Sequence, residues 1–313
     1  MRLALVLLLA LLAGRSPEVP AERRVAVTVD DLPVNGPDNG IAALKAMNDA
    51  LVAKLVENRV PAVGFVNEAK LYREGEVDAR IALLRRWVDA DLELGNHTFS
   101  HPDLNKVGVA AYQEEVVRGE TVTRQLLDAK GRKLRWFRHC FLRTGKTAED
   151  KAAFEAFLNG RGYSVAPVSV ENDDWYFNAG YVKAKSRGDL ETMARIAGDY
   201  LAHWTTLLDY YEKLSRDLFG REIAQTLLLH ANELNADHVD GVAALLRARG
   251  YRFVPLAEAL SDPAYAHADT YIGGWGKSWL QRWWVSEGRP KRFEEEPEPP
   301  AYVGKLYETS KAP

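Results

Sequence analysis

The sequence predicts an α/β fold built on a parallel sheet, closed as a barrel or doubly wound. Three observations predict it. Short apolar, β-branched runs alternate with amphipathic helical stretches along the chain. Those runs are nearly unbroken in apolar character, as strands covered on both faces are. The polar residues able to do chemistry gather at the C-terminal ends of the runs, which share one face in a parallel barrel.

The chain begins "MRLALVLLLALLAGRSPEVP". Arg2 precedes an apolar run, Leu3 to Ala13, that is too short to cross a bilayer, and small and polar residues follow. Residues 1–20 are therefore read as a cleaved signal peptide. The mature protein is expected to be exported, to the periplasm or beyond, with no stable membrane span. No cysteine follows Gly14, which argues against lipid attachment there.

Strands are expected at 24–29, 60–66, 92–97, 134–139, 163–170, 225–230 and 251–256, each rich in Val, Leu, Phe or Tyr. Helices are expected between them at 40–59, 78–91, 109–130, 147–162 and 237–250, several ending at Gly or Asn. Residues 180–220 break the alternation and are expected to form a helical insertion before the sixth strand. A catalytic domain is assigned to 21–261 and an extension to 262–313. Trp275, Trp279, Trp283 and Trp284 of that extension fall at spacings compatible with one helix face, a pattern that more often packs into a core than it binds a ligand. The following "EEEPEPPAY" reads as an exposed, extended segment, so residues 290–313 are expected to be a solvated arm.

The net charge of −3 favours neither nucleic acid nor an anionic membrane as partner. Cys140 is the single cysteine, so no internal disulfide forms. A cysteine-based zinc framework is excluded as well, and any metal is expected on His, Asp or Glu.

Asp30 and Asp31 end the first strand, His97 and His101 follow the third, Arg138 ends the fourth, Asp173, Asp174 and Trp175 follow the fifth, and His230 ends the sixth. Histidines at i and i+4 can aim both rings at one point, and an aspartate would complete a three-ligand site with one position left for water. Such an ion lowers the pKa of water and polarises a carbonyl. Paired aspartates also serve as turns or helix caps, and a strand-end histidine is often a satisfied rim residue. His139, His203, His238 and His267 lack such neighbours and are read as structural or solvated.

These segments together resemble the polysaccharide deacetylases, the carbohydrate esterases with a NodB-homology domain. "TVDD", "HTFSH", "RHCFL", "DDW" and "LLLH" occur in the order of that family's five motifs, across residues 24–260. The resemblance implies a distorted seven-stranded (β/α) barrel. It implies Asp30 as general base, Asp31, His97 and His101 as ligands of a divalent metal, with Zn2+ the first choice, and Arg138 orienting the base. Phe141 would lie beside the oxyanion donor, Trp175 would wall a groove, and Leu228 would face the acyl group. Asp174, or Asp173 in its place, would tune His230 as general acid. "RHCFL" lacks the two prolines and the glycine usual in the third motif, which puts the backbone donor near Phe141 in question.

The expected function is hydrolytic removal of an N-acetyl or other acyl group from a chitin-like or peptidoglycan-like glycan. Hydrolysis of a small non-peptide amide is the alternative, because of the altered third motif. A catalytically silent glycan-binding protein is a second alternative, with the tryptophans as stacking surfaces.

Overall fold

A computed structural model describes residues 22–291 and 293–310; the expected signal peptide lies outside them. Seven parallel strands form the sheet: β1 (Arg23–Leu32), β2 (Val63–Val66), β3 (Glu93–Asn96), β4 (Trp136–Phe137), β5 (Ser164–Val165), β6 (Gln225–His230) and β7 (Tyr251–Phe253). Around it lie α1 (Ile41–Glu57), α2 (Val77–Asp89), α3 (Leu104–Val107), α4 (Val109–Arg118), α5 (Thr121–Asp128), α6 (Ala148–Gly160), α7 (Asp174–Lys185), α8 (Leu190–Phe219), α9 (Glu233–Ala248), α10 (Leu256–Ala259), α11 (Trp279–Ser286) and α12 (Ala301–Ser310).

The strand order is β5-β4-β3-β2-β1-β6. The chain beyond β5 closes the ring: Val170 bridges Leu227, and Leu228 N–H donates to the Val170 carbonyl at 3.0 Å. Seven strands were expected and seven form, but β7 is not a full stave. It pairs with Arg23–Val25 at the start of β1, while β2 takes the later part of β1. The strands expected at 134–139 and 163–170 shrink to two paired residues each. Their flanks leave the ladder to carry Arg138 and the closing bridge.

Side-chain alternation sorts the barrel into two apolar layers. Val25, Val27 and Val29 face the helices, whereas Ala26 packs with Val63, Phe65, Trp136, Ala166 and Ala224 in a smaller interior cluster. Thr28 and Asp30 share the parity of Ala26, so β1 carries Asp30 to the mouth of the interior. By the same parity Ala224, Thr226, Leu228 and His230 line β6. Gly95 is required on β3: a Cβ there would stand 2.4 Å from the Phe65 ring.

The single helix expected at 109–130 is two, α4 and α5. Gly119 lies against the backbone of Thr98, where a Cβ would come within 2.5 Å of the Thr98 carbonyl carbon. The end of α4 also accepts Phe99 N–H on the Glu115 carbonyl at 3.0 Å, so the break supports the histidine loop. The helical insertion comprises α7 and the 30-residue α8, whose N-cap Asp189 accepts from Thr192 N–H at 3.0 Å.

The extension packs on the barrel's helices in both halves, including part of the segment 290–313 expected to be a solvated arm. Trp279, Trp283 and Trp284 are buried on α11, which packs on α8, as the helix-face spacing suggested. Trp275 departs from that stripe and is 74% exposed. Residues 301–310, expected to be extended, form α12 against α7, with Val303 buried and Leu306 over Gly180. Trp283 sits between Phe219 and Tyr265 with 1% of its surface exposed. Trp283→Ala is expected to cost about 3–5 kcal/mol, the usual range for a fully buried aromatic. Urea denaturation followed by circular dichroism measures it, and a cost under about 0.5 kcal/mol would mean the extension is not core.

Candidate active site

Most residues singled out from the sequence for chemistry reach one mouth of the barrel. A cavity of about 1070 Å³ opens there, lined by Asp30, Asp31, His97, His101, Phe141, Trp175, Leu228 and His230 among others. Arg138 and Asp174 lie behind that lining, both 0% exposed.

Arg138 serves two neighbours at once. Its guanidinium projects into the barrel over the Phe65 ring, donates from Nη2 to Thr28 Oγ1 at 2.7 Å, and brings Nη1 to 3.7 Å from Asp30 Oδ2. Its backbone carbonyl lies 2.9 Å from His97 Nδ1. That bond places the His97 proton on Nδ1 and leaves Nε2 as a lone pair toward the cavity.

His97 Nε2 and His101 Nε2 converge on Asp31 Oδ1, at 4.0 and 3.6 Å. Burial holds both histidines below their ordinary range, His97 further by the neighbouring His101, so both are neutral donors. Burial alone would raise Asp31, but Lys70, His101, His97 and His230 outweigh it and hold this carboxyl far below the usual carboxylate range. Neutral imidazole, neutral imidazole and carboxylate make a donor set that fits a divalent ion.

Sequence reasoning missed two further residues here and set a third aside. Asn35 Nδ2 donates to Asp31 Oδ2 at 2.7 Å and fixes that oxygen. Lys70 Nζ lies 3.2 Å from Asp31 Oδ1, so it balances the carboxylate that an ion would otherwise neutralise. Cys140 is the third. One ligand atom each of His97, His101 and Cys140 fall within 4.8 Å of one another, so excluding cysteine from the metal site on count alone was too strong. The thiol is nonetheless a poor third ligand: burial pushes it up to about 12, and it faces Thr98 Oγ1 and the His97 carbonyl, each at 3.4 Å. Asp31 is the better one.

Asp174, not Asp173, backs His230. Its Oδ1 accepts from His230 Nδ1 at 2.7 Å, and its Oδ2 accepts from His230 N–H at 2.7 Å and Asn235 Nδ2 at 2.5 Å. Asn172 Oδ1 accepts Asp174 N–H at 2.6 Å. Asp173 turns the other way, to His203 Nε2 at 3.1 Å. His203 and His139 are buried, in keeping with a structural reading.

Burial opposes charge on His230, but Asp174, followed by Asp31 and Asp30, outweighs it and pushes the imidazole up to about 9. Burial pushes Asp30 up to about 6, against the pull of Arg138 and His230. Both folded-state groups hold their protons more tightly than the unfolded chain does. Each therefore contributes stability that is present at low pH and lost as pH rises: for Asp30 from its ordinary 3.8 to about 6, for His230 from 6.5 to about 9.

Phe141 stacks edge-on to His101, ring centroids 4.5 Å apart, and is 51% exposed. Its φ of 55° belongs to a local cluster: Asp31, Thr98, His101, Phe141 and Leu142 all carry positive φ. Non-glycine residues in that region are strained, and such strain gathers at functional sites.

Residues 18–155 match the family model described as Polysaccharide deacetylase. Among solved structures, the chain is similar to the peptidoglycan deacetylase PdaC from Bacillus subtilis, at 20% identity over 78% of this chain and 93% of that one, with a TM-score of 0.48. It is also similar to a family 4 carbohydrate esterase from Streptomyces lividans in complex with acetate, at 19% identity over 74% and 92%, TM-score 0.45. A family 4 pseudoenzyme from Bacillus anthracis matches at 16% identity over 77% and 66%, TM-score 0.46.

Two tests follow from this geometry. In purified protein dialysed and analysed for metal, Asp31→Ala is expected to lose the ion and Cys140→Ser to keep it; the reverse would make the thiol the ligand. In chelator-treated protein, the His230 imidazole is expected to titrate near 9 by NMR. In Asp174→Asn the midpoint is expected to fall, because the largest countercharge is gone; an unchanged midpoint would mean Asp174 does not hold the proton on His230. The resemblance read from the motifs is thus met by the family model: the segment carrying Asp30, Asp31, His97, His101 and Arg138 matches the polysaccharide deacetylase model.

Proposed function

We propose that the chain is an exported, metal-dependent deacetylase that removes N-acetyl groups from an amino-sugar glycan, chitin-like or peptidoglycan-like. One observation carries this reading. A carboxylate pair, two neutral histidines and a carboxylate-backed histidine converge on one cavity within a polysaccharide deacetylase segment.

Asp31, His97 and His101 would hold the ion, with Zn2+ the first choice for a His-His-Asp set. When bound, such an ion polarises an acyl oxygen and makes water more acidic. Asp30 takes the proton from the attacking water, with Arg138 fixing the carboxylate that receives it. His230 gives its proton to the departing amine from the ring nitrogen opposite Asp174. Asp174 holds that ring in orientation and favours its charged form. Leu228 and Phe141 border the acyl group, and Trp175 walls the sugar side.

The second reading, a small non-peptide amide as substrate, is favoured by the bounded cavity and by "RHCFL". A silent binding protein is disfavoured, because the base, the acid and the candidate ligands are all present. The deciding experiment measures acetate released from chitooligosaccharides and from peptidoglycan by mature protein, with chelator and after zinc is restored. Release that chelator abolishes and zinc restores supports the proposal. Asp30→Asn is expected to keep the metal and lower kcat about 10²–10⁴-fold, the usual worth of a general base. Full activity in that variant would remove Asp30 from the role. Turnover of small amides alone would favour the second reading.

A further inference from the structure

The barrel accounts for only part of the cavity wall; the extension supplies the rest from two directions. On one side, residues 273–276 lie across the Phe141 turn. A Cβ at Gly276 would stand 1.7 Å from the Phe141 carbonyl oxygen, so only glycine permits this approach. Tyr271 OH donates to the Trp275 carbonyl at 3.3 Å, which anchors the turn. The Trp275 side chain is left 74% exposed, lining the cavity with Arg143 beneath it at 5.8 Å. On the other side, α12 brings Tyr307 to 5.0 Å from the Trp175 ring, and Thr309 and Ser310 join the lining.

Trp275 shares the cavity lining with a second aromatic group, Trp175 with Tyr307. Flat apolar faces of this kind stack on the C–H faces of sugar rings. The mouth so walled holds about 1070 Å³, just above the roughly 300–1,000 Å³ usual for small-molecule sites.

Resting on the deacetylase reading, we propose that the extension is a specificity element: Trp275 and the Trp175–Tyr307 pair clasp a short N-acetylated oligosaccharide or the end of a chain, and select it over the interior of a polymer.

The test compares chitotetraose with a soluble, fully acetylated long-chain chitin derivative. Acetate release and calorimetric binding are followed for the full chain, for Trp275→Ala and for Tyr307→Ala. Trp275 is exposed, so its removal opens no core. The native protein is expected to favour chitotetraose at least about tenfold in kcat/KM per acetyl group. Each variant is expected to bind chitotetraose several-fold to about tenfold more weakly, the scale of one aromatic contact, and to narrow the preference. Equal native rates on both substrates, or a preference and affinity unchanged in both variants, would overturn the inference and leave the deacetylase reading standing. Absence of acetate from either substrate would overturn that reading. Chitotetraose binding weakened by Trp275→Ala would then still support the clasp, and unweakened binding would remove it.

Discussion

The site depends on a cation placed inside the barrel. Arg138 is wholly buried, and removing a guanidinium from water is expensive unless it is paired. Thr28 Oγ1 and the Asp30 carboxylate are its compensation, and both stand on the inward face of β1. That charge gives Asp30 a reason to remain near the interior, and the backbone carbonyl of the same residue selects the His97 tautomer. Nη1 and Nε of Arg138 and Oδ1 of Asp30 make no hydrogen bond within the protein. The pair is thus matched in charge but incompletely satisfied in hydrogen bonds, which suits the proton exchange proposed for Asp30.

Around that pair, two aspartates adjacent in sequence are driven apart in acidity. Asp31 is surrounded by Lys70 and three histidines and stays ionised; Asp30, deeper against the apolar interior, is pushed up by burial. Opposite them the balance is reversed: Asp174 supplies His230 with a countercharge that outweighs burial, whereas Arg138 only moderates the effect of burial on Asp30. Groups whose environments separate their proton affinities are the signature of divided acid and base labour. The separation here follows from strand parity and from α7 beginning at Asp174.

Much of this was legible in the sequence because it lies on regular elements. A strand of period 2 ending in Asp30, and another ending in His230, state both the face and the end of the sheet on which those side chains emerge. What was not legible comes from contacts between distant segments. The helix at 109–130 breaks because Gly119 must touch Thr98, and nothing local to Gly119 says so. Asp174 prevails over Asp173 because its partners, Asn235 and His230, arrive from α9 and β6. Lys70 sits in no pattern that points to Asp31. The helix α12 follows a proline-rich run, and its helicity rests on packing against α7 rather than on propensity.

The third motif shows how a lost local constraint can be replaced by a tertiary one. "RHCFL" has no proline to stiffen the turn at 139–142, yet Phe141 and Leu142 both hold positive φ. The turn is held instead from inside and above. Cys140 is buried, and its N–H, which a proline would lack, donates to Tyr112 OH at 3.0 Å and ties the turn to α4. From above, Gly276 lies on the Phe141 carbonyl, and Arg282 of α11, buried and paired with Asp269, donates to Thr144 Oγ1 at 2.7 Å just beyond the turn. Because α11 is anchored by buried tryptophans, the strain at Phe141 is carried by the extension's core. The same segment that walls the cavity therefore also shapes the turn beside His101, so cutting the chain after the barrel would disturb both.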